Sequence, residues 1–351
     1  MKIVLPLPAM LTSLFVVAVE HLPFDVDTFV PWRVPGPYRK AARDALDTPA
    51  SLTVTHAPAP WRPAGLTLTG DERRRLRRAG QHVLVSTTAP PRRLPGNVQT
   101  ARAVARALAR QCDGLLIDPS TASAVPACPR SPGEPEDFHL ADDWLSWDVQ
   151  MRDDATCPPW DPSETAACAC LRVTSRGLSR FALPEITLDG AACAHSLCAT
   201  ALLRSVAHRL VADQLAHLRA HPLATCHEID DLLRIQPSGA LRGVPPFGVR
   251  LTPCDADLAD LADLADLADR ADFAGRADPA DPADPADCGG PGRSGAIRRL
   301  KVGPAPGSGR LTCLKVGPPS GFPGSVNDWL RAADSLDLTS ADHLARPALA
   351  A

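Results

Sequence analysis

Aromatic side chains are scarce in this sequence: one Tyr, 6 Trp and 8 Phe, or 4% of 351 residues. Whatever core forms must therefore be built mostly of Ala, Leu and Val. An excess of charge of either sign is also missing. The net charge of -3 argues against a nucleic-acid partner held by phosphate attraction. No apolar run is suited to cross a bilayer: Ile3–Val19 is too short and is interrupted by Pro6 and Pro8. There is no P-loop and no dinucleotide fingerprint, so no cofactor is expected.

Other features are abundant. Hydrophobic residues make up 45% of the chain, enough for a real core, and the length suits one large or two ordinary domains. Pro numbers 37 and Gly 23, which implies long loops. The 11 cysteines are an odd number in no recognisable disulfide framework. They read as mostly buried small hydrophobes in a reducing, cytoplasmic setting.

The chain is organised around Gly96–Asp118, GNVQTARAVARALARQCDGLLID. Asn97 is the expected N-cap. Val98, Ala101, Ala105, Leu108 and Cys112 recur at helical spacing and form a buried stripe, while Gln99, Arg102, Arg106 and Arg110 fall on the other face. Asp113-Gly114 ends the helix, and Leu115–Ile117 reads as a buried strand.

Upstream, Met1-Lys2 and the apolar run to Val19 suggest either a signal peptide or a first strand. Ala18-Val19-Glu20 is a poor cleavage site, so Leu14–Val19 is read as a strand. Pro37 can open a helix through Leu46. Ser51–His56 is a second strand, Asp71–Arg78 a basic helical turn, and Gln81–Thr87 a third strand. The order β-α-β-β-α-β predicts a ferredoxin-like unit over 1–125, with both helices on one face of an antiparallel sheet.

A Pro-rich linker is expected over 126–140, its heart at Pro126–Pro135. A second α+β domain, 141–336, follows. Its strands are read at Trp144–Met151, Cys170–Thr174, Ser179–Leu183, Ile186–Leu188 and Phe247–Leu251, with a hairpin turn at Arg176-Gly177. A long helix, Ala194–Ala220, ends at His221-Pro222. A short helix, Val326–Leu336, is capped by Ser325, and 337–351 reads as a tail. Within 255–296, Asp-Leu-Ala triplets and then Asp-Pro-Ala triplets mark a low-complexity insertion that offers little to bury. LKVGP occurs twice, at Leu300–Pro304 and Leu314–Pro318.

Two stretches carry a resemblance. Thr174-Ser-Arg-Gly-Leu-Ser-Arg-Phe-Ala-Leu-Pro-Glu185 resembles a segment found in uncharacterised bacterial proteins built from domains of unknown function, with Ala182 standing where that segment has Gly. Gly96–Asp118 resembles the helix and "G-x-x-x-D" segment of the same proteins. The resemblance implies a paired α+β architecture and carries no activity with it.

Site chemistry is sparse. His217 and His221 share a helix face, and Cys226, His227 and Glu228 follow. A zinc site needs three or four converging ligands, and adjacent Cys226 and His227 would point apart on an extended segment, so no metal is expected there. Cys168-Ala-Cys170 and Cys193-x4-Cys198 lack paired CxxC spacing and read as core or surface thiols. His195 or His82 could serve a cysteine nucleophile, but no local signature selects one. Arg73–Arg78 reads as a solvated face. The expected function is a non-catalytic interaction or regulatory module with a protein partner and no membrane association. The alternative is a cryptic Cys/His or metal-dependent hydrolase.

Deletion of residues 257–286 is expected to leave thermal unfolding unchanged, because Ala, Asp and Pro triplets have little surface to bury. A large drop in Tm would show that the segment packs.

Overall fold

The apolar run near the start of the chain has no polar alternation, and a strand of that kind must be covered on both faces. The computed structural model shows how this is done; it describes residues 2–22, 34, 36–48, 51–57, 61, 63, 65–126, 133–140, 143–152, 168–235, 247–254 and 311–334. Strand β1 is Lys2–Pro6 and β2 is Leu11–Val19. Helix α1 (Tyr38–Leu46), β3 (Leu52–Ala57), α2 (Gly70–Arg78), β4 (Gln81–Ala89), α3 (Gly96–Gln111), β5 (Leu115–Asp118) and the short β6 (Ser123–Ala124) follow. The first large sheet has the order β3-β4-β2-β5-β6, antiparallel throughout, with β2 between β4 and β5.

Phe15, Val17 and Val19 of β2 point into the main core with α1 and α3. Val16 and Ala18 point the other way, into a second cluster with Leu76 and Ala79 at α2. The expected basic turn is thus a nine-residue helix, started by a capping box: Glu72 N–H donates to Thr69 Oγ1 at 3.3 Å and Thr69 N–H to Glu72 Oε2 at 2.8 Å.

Helix α3 corrects two expectations. Pro95, not Asn97, is its N-cap, since proline is already held near the helical φ and lacks the N–H that would need a partner. The expected polar face is buried in part: Gln99 and Arg102 lie in the interior alongside Val98, Ala101 and Leu108, while Arg110 is exposed. The helix lies against the first sheet on one side and against Trp144 and Glu134 on the other, so it has little solvent face. At its end, Gly114 is required by close approach: a Cβ there would meet Val17 Cγ1 at 2.7 Å and Val19 Cγ1 at 2.8 Å.

The second large sheet has the order β11-β12-β13-β9-β8-β7. Its strands are β7 (Ser146–Met151), β8 (Leu171–Arg176), β9 (Glu185–Ala191), β11 (Leu232–Ile235), β12 (Phe247–Pro253) and β13 (Cys313–Gly317). All pairs are antiparallel except β13 with β9. The protein is therefore α+β, with one antiparallel sheet and one mixed sheet. Helices α4 (Ser196–Ala220) and α5 (Val326–Asp334) join its core through Leu202, Val206, Leu210 and Trp329. Ser325 and Asp328 cap α5 reciprocally, at 3.2 and 2.9 Å. Strand β10 (Cys226–Asp230) returns from α4 and pairs with β1 in a separate two-stranded ribbon.

Ser179–Leu183 is not a strand. Leu178–Phe181 forms a 3-10 turn between two left-handed residues, Gly177 at φ 109° and Ala182 at φ 60°. The Glu185 carboxylate fixes this turn by accepting the Gly177 and Ser179 N–H groups at 3.0 and 3.1 Å. Cys254 and Cys313 form a disulfide, a correction for two cysteines read as thiols. The insertion at 255–296, Leu300–Pro304, the heart of the linker at 127–132 and the tail at 337–351 lie outside the described residues. The end of the expected linker is anchored: Glu134 is buried, and the Pro135 carbonyl accepts the Tyr38 hydroxyl at 2.7 Å.

The two large sheets meet at Trp144, which is fully buried. The Arg102 guanidinium lies 3.4 Å from its ring centroid and grips Glu134 with two bonds, Nε to Oε2 at 2.9 Å and Nη2 to Oε1 at 2.5 Å. Arg106 adds a third contact to Glu134 at 3.1 Å. The Arg180 guanidinium carbon lies 5.5 Å from the same ring, and its Nη2 donates to both oxygens of Asp118 at 2.7 and 2.6 Å. Asp118 ends β5 of the first sheet, and Arg180 belongs to the turn after β8 of the second. Asp118→Ala would leave Arg180 buried without its carboxylate. A loss of about 3–5 kcal/mol is expected in urea unfolding at neutral pH. A loss under about 1 kcal/mol, the range of an exposed pair, would show that the pair is solvated.

Candidate functional site

The histidine group flagged by helical spacing does assemble, in part. β10 alternates, so Cys226 and Glu228 point out and His227 points in towards α4. The His227 ring stacks on His217 with centroids 4.0 Å apart, and His217 lies 5.0 Å from His221. His227 Nδ1 is 2.6 Å from Gln214 Oε1, and His217 Nε2 is 3.2 Å from the Cys226 carbonyl. Stacked rings do not aim their nitrogen lone pairs at one point, as metal ligation requires. Burial, and then the neighbouring His217, lower the His227 pKa to about 4, with Asp213 opposing them.

Other flagged residues serve the fold. His82 is buried in β4, with the Trp61 ring 6.1 Å away edge-on. The basic run lies on α2, where Arg74 pairs with Asp71, Arg75 with Asp113 and Arg78 with Glu20. Glu185, not singled out from sequence, is half-buried, and desolvation of its carboxyl pushes its pKa up. Beside its turn contacts it accepts the Ser175 hydroxyl at 2.6 Å. Ser175 Oγ in turn accepts the Ile186 N–H at 2.9 Å, so this hydroxyl is built into the β8–β9 hairpin.

Cys168, Cys170 and Cys193, set aside from sequence as core or surface thiols, come together in the fold. Their sulfurs all lie within 4.8 Å of one another, and those of Cys168 and Cys170 are 3.3 Å apart. Residues two apart on an extended segment point the same way, which aims both sulfurs of Cys168-Ala-Cys170 to one side. The register brings Leu171 opposite Ala191, so the start of β8 lies beside the end of β9 and the turn holding Cys193. His195 follows in that same turn. Asn327 of α5 clamps the two chain ends: its Nδ2 donates to the Cys168 carbonyl at 3.0 Å, and its Oδ1 accepts the Ala192 N–H at 2.7 Å. Cys168, Cys170 and Ala192 are buried, and Cys193 is half-buried at the rim. Three converging sulfurs on braced backbone can take a soft metal or exchange disulfides. A C-x-C just before a strand, with a third Cys just after the next strand, was the available signal. Nearby, Cys198 donates instead to the Leu330 carbonyl at 3.2 Å.

The chain matches no family model, no curated protein and no solved structure.

His227 gives a pH prediction. Its folded pKa is about 4 against an ordinary 6.5, so the unfolded chain takes up this proton first as pH falls. The stability owed to neutral His227 is whole above pH 6.5 and is lost as pH falls towards 4. His227→Gln is expected to flatten the urea midpoint across that window. A residual slope will remain from His208, which burial also lowers to about 4. A profile identical to the parent's would show that His227 is not held neutral.

Proposed function

We propose that the chain is a non-catalytic interaction or regulatory module that takes an extended segment of a partner protein onto the edge of its second sheet. The observation that carries this reading is β7. Among the described residues it bonds to β8 alone, and Val149 and Met151, alternate residues on one face, are 44% and 58% exposed. An edge strand with an exposed apolar row is a template for strand addition. No helix among the described residues is long and apolar enough to cross a membrane. The six described cysteines present as thiols support a cytoplasmic setting, against which the single Cys254–Cys313 disulfide stands.

The first unit is proposed to be ferredoxin-like. The order β3-β4-β2-β5, with α1 and α3 on one face, supports this; β6 at the edge and α2 on the opposite face are additions. The resemblance to uncharacterised bacterial proteins supports a paired architecture of this kind.

The test compares tagged parent protein with a Val149→Lys/Met151→Lys variant, both recovered from the native cell. Charges on an exposed edge face are expected to leave circular dichroism and Tm unchanged. The parent is expected to retain a stoichiometric protein partner, with new hydrogen-exchange protection on β7, and the variant to lose both. Identical partners on parent and variant, or protection elsewhere with β7 unchanged, would overturn the proposal.

A further inference from the structure

The geometry points to a zinc site formed by Cys168, Cys170 and Cys193, which ties together the open end of the β8–β9 hairpin beside α5. It does not rest on strand addition at β7. A zinc ion with thiolate bonds of about 2.3 Å sets its sulfurs ~3.8 Å apart in a tetrahedral site and ~4.0 Å apart in a trigonal one. The three sulfurs here lie near those spacings without matching them, with one pair closer, at 3.3 Å, and all within 4.8 Å. Closing them around an ion needs shifts of a few tenths of an ångström to about 1 Å.

The surroundings favour a fixed site. Two of the three ligands precede a strand, the third opens the turn after the partner strand, and Asn327 holds both backbones at 3.0 and 2.7 Å. Such bracing is what orients the ligands of a metal centre. Small neighbours, Ala169, Ala192 and Ala194, leave room for the sulfurs to converge. Half-buried Cys193 gives the ion a way in and leaves one coordination position towards solvent.

Charge selects the ion. Three thiols bind Zn²⁺ by releasing three protons, leaving a complex of charge -1, and no oxidant or reductant is consumed. A cuprous ion in the same site would leave -2. Cys168 and Cys170 are buried, and Arg152, whose backbone N–H donates to the Cys170 carbonyl at 2.8 Å, commits its side chain to Asp189 at 2.5 Å. The divalent ion therefore carries the smaller cost of buried charge.

The test uses the full chain, expressed with zinc and purified under reducing agent without chelator. Elemental analysis is expected to find about one zinc ion per chain. Cys193→Ser is expected to lose most of it while keeping its circular dichroism, whereas His217→Ala keeps it. Chelation is expected to lower Tm and to raise the number of thiols that react under native conditions. Because Cys168→Ser/Cys170→Ser alters buried positions, cobalt substitution of the parent chain serves as an independent readout. Sulfur-to-cobalt charge transfer with tetrahedral visible bands supports the site. Zinc-free protein with no such spectrum overturns it. So does copper in place of zinc, a disulfide between two of the three cysteines in protein fresh from the native cell, or zinc that survives Cys193→Ser but leaves with His217→Ala.

Discussion

One buried indole packs against two like charges. Trp144 lies beside the guanidinium groups of both Arg102 and Arg180, and each arginine is closed off by a carboxylate from elsewhere in the chain, Glu134 and Asp118. Burying such ions costs several kcal/mol apiece before pairing offsets it. The joint between the sheets is therefore intolerant of displacement. A slip of one residue along β5 would turn Asp118 away from Arg180, because alternate strand residues point to opposite faces. Apolar packing surrounds the joint with Phe15, Phe138 and Phe181, but apolar contacts alone would accept several arrangements.

Gly96–Asp118 and Thr174–Glu185 meet at this joint. Gly114 has no room for a Cβ, and Asp118 ends the first segment with its grip on Arg180 of the second. Glu185 closes the turn that carries Arg180, and Ala182 occupies a left-handed position where glycine would be unstrained. Each of these residues has an architectural duty.

Much of the first sheet could be read from the amino-acid order. Local periodicity places α3, and the apolar runs give β2, β4 and β5 to within a few residues. The solvent face assigned to α3 was misread, because periodicity assumes that the polar stripe sees water; here a distant Glu134 and Trp144 cover it. The 3-10 turn at Leu178–Phe181 was mistaken for a strand because it follows Arg176-Gly177, read as a hairpin turn, while the deciding left-handed φ values leave no local trace at Ala182. The grouping of Cys168, Cys170 and Cys193 could not be read for a third reason. Its members are assembled by the β8–β9 register, and spacing rules written for contiguous loops do not count across a hairpin. The ribbon of β1 with β10 joins the two ends of a separation no local pattern spans.

The Cys254–Cys313 bond has an evolutionary consequence. Its partners are 59 residues apart in sequence, yet their Cα atoms are 5.5 Å apart, where β12 leaves the sheet and β13 enters it. Closing a chain segment costs only about 0.6 kcal/mol more for each doubling of its length. Slippage of a triplet repeat during replication can therefore add or remove Asp-Leu-Ala units between these two fixed points without disturbing the pairing of Arg250 with Gly317 or Leu251 with Val316. The bond and the ladder beside it make this stretch a place where the gene can vary in length while the fold stays constant.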